Sequence, residues 1–156
     1  MPRLLIIPRD TPIGSTVFES AVFTHSSSNT GISCSGANTW GAINNLGTTP
    51  ADSTLHVINN SGLSFQLLYK GLPIKEASQI PLPAKNYDMS NTTLQLKIIK
   101  TGDTISGAII PAGEISGIKL GSLKVSSIKL SNSVTLTAPR LSNGEYQCLH
   151  GATPSE

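Results

Sequence analysis

The sequence predicts an all-β protein, an antiparallel β-sandwich, and three observations predict it. β-Branched residues are abundant, and 14 Gly and 10 Pro punctuate the chain, a pattern of short strands joined by frequent turns. Two segments, 63–69 and 92–100, alternate inward apolar residues with largely polar ones at a period of two. No stretch carries apolar residues at helical spacing with good helix formers between them; the nearest, 71–78, contains Pro73.

Taken in order, 4–8 is a short apolar strand that ends in the turn Arg9-Asp10-Thr11-Pro12-Ile13-Gly14. Residues 15–24 form the second strand, 25–30 a Ser-rich loop, and 31–35 a strand carrying Cys34. A long polar loop, 36–52, holds Trp40, the single tryptophan. A short strand at 55–58 turns back at Asn59-Asn60-Ser61-Gly62 into 63–69, where Leu63, Phe65, Leu67 and Tyr69 share one face. A second long connection covers 71–90. In 92–100, Leu94, Leu96 and Ile98 point inward; Thr101-Gly102-Asp103 is read as a hairpin turn with 104–110 as its return strand. Residues 111–114 turn again, 115–125 is a strand bent at Gly121, and 126–138 closes the pattern on Val134 and Leu136. That makes about eight or nine strands, with loops too irregular for a simple barrel. Residues 141–156 carry no strand pattern and read as a linker or tail.

Composition excludes several classes. At 156 residues there is room for one domain, or one domain and a stub. Charged residues are 13% of the chain, about half the usual ~25%. A net charge of +2 spread along the chain leaves no basic footprint for nucleic acid. No apolar run approaches the ~20 residues of a membrane span. The apolar run at 4–7 is too short for a signal peptide, whose core needs about 7–15 residues. Either the protein stays in the cytoplasm or a signal has been removed. Cys34 and Cys148 stand far apart and, with His25, His56 and His150, lack the clustered spacing of a zinc site. They read as disulfide chemistry or buried thiols, and a polar, charge-poor β protein suits an oxidising compartment.

Catalytic motifs do not survive inspection. Ser33 has Ser35 where a nucleophile elbow needs Gly. Lys100-Thr101-Gly102, Ser116-Gly117-Ile118-Lys119 and Ser126-Ser127-Ile128-Lys129 match penicillin-recognising signatures in the wrong order and on strands. No carboxylate pair is marked for acid–base work. The sequons at Asn59 and Asn91 fall where Asn is common as a turn residue. No metal or cofactor is expected.

Binding chemistry is better represented. Trp40 is either a cap on the core or a platform for a sugar ring, whose C–H edges stack on aromatic faces. Asn38, Asn44 and Asn45 flank it with amides suited to vicinal hydroxyls. Tyr87 and Asp88 are the corresponding pair in the second long connection.

Two segments carry a family resemblance. The first runs from Ile7-Pro8-Arg9-Asp10-Thr11-Pro12-Ile13-Gly14 through Cys34-Ser35; the second lies within 94–121, above all Thr101-Gly102-Asp103-Thr104 to Pro111-Ala112-Gly113-Glu114. With Asn60-Ser61-Gly62-Leu63-Ser64-Phe65, they resemble the N-terminal lectin-type domain of chaperone–usher fimbrial tip adhesins, the long polar fimbria type in particular. The resemblance implies an elongated immunoglobulin-like or jelly-roll sandwich over 1–140, with its first strand missing. It implies no enzyme, but a domain that binds a host carbohydrate, glycoprotein or matrix protein at a fimbrial tip, outside the cell after export through the periplasm. A pilin domain, a periplasmic chaperone and an usher would be partners of the longer protein, and this domain alone would be monomeric. In that family the Cys matching Cys34 pairs with one upstream, which this sequence lacks, so the resemblance implies that Cys34 has lost its partner; with Cys148 matching the first pilin Cys, the two are not bonded to each other. The mannose-contacting residues of the family do not carry over: Ser35-Gly36 follow Cys34, and the later strand reads Lys119-Leu120-Gly121-Ser122-Leu123. The alternative is a structural subunit assembled by donor-strand exchange.

Overall fold

The alternation in 63–69 and 92–100 becomes the frame of the molecule. The computed structural model describes residues 2–25, 31–34, 36, 38–88 and 92–139. Among these there is no helix. The strands are β1 (Leu4–Ile6), β2 (Thr16–Glu19), β3 (Phe23–His25), β4 (Gly31–Cys34), β5 (Asn38–Asn44), β6 (His56–Ile58), β7 (Leu63–Tyr69), β8 (Leu72–Pro73), β9 (Ile80–Leu82), β10 (Lys85–Asp88), β11 (Thr92–Lys100), β12 (Ile109–Ile110), β13 (Gly113–Leu120), β14 (Leu123–Leu130) and β15 (Val134–Thr137).

β7 and β11 pair antiparallel without a break from Leu94–Tyr69 to Lys100–Leu63. β2 and β3 line the far side of β11, and β6 and β8 the far side of β7. A second sheet runs β14-β13-β5-β9, a third β1-β15-β12, and β10 pairs with β4. Among the described residues the strand pairings are antiparallel except β1 alongside β15, and an isolated bridge between Ala42 and Glu76 is also parallel. Strict alternation on β11 buries Leu94, Leu96 and Ile98. They divide between two contiguous cores. One gathers Phe65, Leu96, Ile98 and Ile115 with Leu5, Val134 and Leu136. The other gathers Leu67, Leu94, Ala42, Ile118 and Leu120, with Trp40, Tyr69 and Tyr87 packed on its margin.

Several elements depart from the sequence-based expectation, each for a physical reason. Residues 15–24 form two strands, because the Ser20 hydroxyl accepts the Leu96 N–H at 2.9 Å and interrupts the ladder. The expected loop 36–52 contains β5, an interior strand between β13 and β9. Gly41 makes this possible: a Cβ there would lie 2.5 Å from the Lys75 carbonyl oxygen, and its φ of 147° suits glycine. The connection 71–90 contains β8, β9 and β10. Pro81 sits in β9, an edge strand, where a missing N–H costs least.

No hairpin returns along 104–110. Both sides of β11 are already occupied at that end, by Thr16 of β2 and Leu63 of β7. The chain instead leaves the sheet, with Ile105 N–H bonded to Ser61 O and Gly107 N–H to Leu136 O, and joins β15 through β12. Residues 115–125 are not one bent strand. Gly121, at φ 60°, turns a hairpin that pairs Leu120 with Leu123. Of the expected loop 25–30, His25 belongs to β3 and the rest lies outside the described residues, as do Cys148, Asn91, residues 141–156 and the side chain of Cys34.

Candidate functional site

The two main sheets bring aromatic residues together at one end of β7. Trp40, on β5, lies opposite Ile80 of β9 and Leu120 of β13. Tyr69 closes β7, opposite Leu94. The two rings meet edge to face, centroids 5.1 Å apart at 63°, a geometry favoured by the ring quadrupoles. Tyr87, on β10, donates its phenolic hydrogen to Pro83 O at 2.6 Å, which fixes the ring. These three aromatics, with Pro81 and Pro83, wall a cavity of about 260 Å³ floored by buried Leu82 and Leu120.

Two lysines line the same cavity. Lys70 Nζ lies 5.5 Å from the Tyr69 ring centre, and Lys85 Nζ lies 5.1 Å from that of Tyr87. Among the described residues, neither is in an ion pair and no acidic side chain lines the cavity. Lys70 and Gly71 form the two-residue turn between β7 and β8, with φ of 52° and 82°. A turn with both residues left-handed favours Asn-Gly, so Lys70 occupies a position its side chain does not favour.

Of the residues selected from the sequence, Trp40 and Tyr87 line this cavity. Asn38 lies two residues along β5, exposed, with its side chain against Gly121. Asp88 follows Tyr87 with its backbone opposite Gly31, and its side chain lies outside the description. Asn44 and Asn45 lie at the other end of β5. The Asn44 amide donates to Val57 O at 3.0 Å and Thr49 Oγ1 at 3.3 Å, and its oxygen accepts from Leu46 N–H at 2.9 Å. The Asn45 amide donates to Glu114, whose carboxylate is also bonded to Lys124 at 2.8 Å and is thereby held below its ordinary pKa. Both amides are engaged within the protein. Sequence reasoning did not select Tyr69, Lys70 or Lys85; the one available signal was Lys-Gly in a tight turn where Asn-Gly is expected.

A buried histidine elsewhere has a structural role. His56 is fully buried, its Nδ1 2.9 Å from Thr49 Oγ1 and its Nε2 3.0 Å from Ile74 O. A carbonyl cannot donate, so Nε2 carries its hydrogen toward Ile74 O, and in the neutral ring Nδ1 accepts from the Thr49 hydroxyl. Burial pushes its pKa below the usual 6.5, against the Ile74 hydrogen bond and the charge of Glu76.

The fold has a counterpart among solved structures. The chain superimposes on the receptor-binding domain of the plasmid-borne adhesin MrkD1P of Klebsiella pneumoniae, with a TM-score of 0.57. Sequence identity is 17%, and the match covers 88% of this chain and 87% of that one. The likeness is one of fold, and the all-β architecture anticipated from the sequence is that of an adhesin receptor-binding domain. No family model and no curated protein matches the sequence.

Proposed function

We propose that this chain is the receptor-binding domain of a fimbrial adhesin and recognises a host glycan or glycoprotein, without catalysis, at the Trp40–Tyr69–Tyr87 cavity. The observation that carries this reading is the convergence of three aromatic side chains from three sheets on one cavity. Aromatic faces accept the C–H edge of a sugar ring, and the cavity has room for one small ring rather than an extended ligand; drug-sized ligands occupy about 300–1,000 Å³. The adhesin fold is consistent with such a role. By the same reading the domain works outside the cell at a fimbrial tip, after export with the help of a chaperone and an usher, joined to a pilin domain.

The test is a broad glycan array with the wild-type domain beside Trp40→Ala. Specific binding lost in the variant, with the fold retained by circular dichroism, is the expected result. Undiminished binding by Trp40→Ala would remove the site from this cavity. Trp40 also packs on the second core, so the variant should lose about 2 kcal/mol of stability. Trp40→Phe, which keeps a ring at the core margin, controls for that loss.

One observation favours the second reading, a subunit built by strand exchange. A cleft of about 340 Å³ opens between β3 and β14, lined by Phe23, Leu94 and Ile128, and among the described residues β14 pairs on one side only. Sedimentation separates the two: a receptor-binding domain stays monomeric with concentration, whereas a strand-exchange subunit forms larger species.

A further inference from the structure

We infer that the ligand class of the Trp40 cavity is an acidic saccharide, a sugar ring bearing a carboxylate or a sulfate. This rests on the reading of that cavity as the receptor site and narrows it. Lys70 and Lys85 place two ammonium groups beside the aromatic walls, each over a ring that lines the cavity. Among the described residues their ammonium contacts are those ring faces, which leave the N–H donors for a ligand. With no acidic side chain among the described lining residues, their charge is positive in a chain whose overall excess is only +2.

The backbone at Lys70 supplies an independent argument. Its φ of 52° is a left-handed conformation that Asn or Gly adopts at less cost. A lysine kept there against local preference is a position where the side chain, not the turn, is being used. The neighbouring edge argues for a saccharide over a peptide strand. β9 is the outer strand of its sheet, and Pro81 within it and Pro83 just after it have no N–H to donate, so the edge offers no regular ladder for strand addition.

The experiment measures binding of wild type, Lys70→Asn, Lys85→Gln and Trp40→Phe to 3′-sialyllactose, a chondroitin sulfate hexasaccharide, lactose and a poly-glutamate peptide, at low and high salt. Lys70→Asn keeps a residue suited to the turn, so its fold is preserved while the charge is lost. The expected result is selective binding of at least one of the two acidic saccharides over lactose, weakened by salt. Each lysine variant should weaken it about 10-fold, as for loss of one charge-assisted hydrogen bond. The two acidic probes distinguish carboxylate from sulfate. Binding of lactose through Trp40, indifferent to both lysine variants, would overturn the acidic class and leave the receptor site standing. Acidic-saccharide binding indifferent to all three variants would overturn both. Equal binding of poly-glutamate, or no saccharide binding at all, would overturn the saccharide.

Discussion

The two ends of the β7–β11 ladder treat lysine in opposite ways. At the Leu63 end, Lys100 is 3% exposed, and its ammonium donates to Thr11 O at 2.7 Å and Arg9 O at 3.2 Å. Its own N–H and C=O bond Ser15 and Gly14, so one residue stitches the 9–14 turn onto the sheet. At the Tyr69 end, about 20 Å along the strand, Lys70 and Lys85 are exposed, and among the described residues their ammonium groups meet only ring faces. A cavity exists at both ends. The one at Lys100, about 320 Å³, is the larger and is lined by Arg9, Lys100, Asp103 and Thr104. Volume therefore does not distinguish them; the disposition of donors and the presence of aromatic walls do. A lysine that stabilises has its hydrogens committed to the chain, and a lysine available to a ligand does not.

The largest effect should come from the committed lysine. Lys100→Met keeps most of the buried stem but leaves Thr11 O and Arg9 O without their donor, at a cost of about 3 kcal/mol. Denaturant unfolding measures it. Glycan binding at the far end should be unchanged per folded molecule; a joint loss would mean the two ends are coupled. Next is Asn44→Ala, which removes three hydrogen bonds that hold the 44–57 segment and should cost about 2 kcal/mol, again with binding intact. Weakened binding with unchanged stability would instead make Asn44 part of the receptor site.

These predictions depend on contacts that were unequally legible in the sequence. β7 and β11 were legible because a period of two survives wherever a strand buries one face against a core. β5 was not. Asn38, Thr39, Gly41 and Asn44 dilute its pattern, and its burial comes from close approach: Ala42 N–H reaches Lys75 O at 2.9 Å. β13 was legible as part of a strand at 115–125, but not its burial against β5, where the buried Ser116 hydroxyl donates to Ile43 O at 2.9 Å. At the candidate site, Trp40 and Tyr87 stood out as aromatics in polar surroundings. Tyr69 resembled any inward residue of a strand, and the lysines any surface lysine, until long-range pairing of β5 with β9 and β7 with β11 brought them to one cavity. Local pattern carries strand identity; it does not carry which strand ends meet.

A smaller effect, conditional on pH, comes from His56. Its folded pKa lies below the 6.5 of the unfolded chain, so the unfolded state takes up the proton first as pH falls. The stability contributed by the neutral ring is fully present above 6.5 and is lost progressively as pH drops from there toward the folded value. Thermal midpoints measured from about pH 7 to 5 should fall for wild type and fall less for His56→Gln. An equal fall in both would assign the acid sensitivity to other groups.

The smallest expected effect is the sharpest test of the contrast between the two ends. Lys70→Asn should raise stability, by about 0.5–1 kcal/mol, because Asn adopts the left-handed turn conformation at less cost. Opposing this is loss of the Lys70–Tyr69 contact, an exposed cation over a ring at 5.5 Å, which contributes about 0.5 kcal/mol at such a distance from full burial. The sign of the measured change decides which term is larger. A gain in stability with loss of acidic-saccharide binding would mean that the turn gives up local stability for a charge at the cavity. A loss of 1 kcal/mol or more would mean that Lys70, like Lys100, is held by the protein for its own structure, and the distinction between a committed and an available lysine would fail at the residue where it matters most.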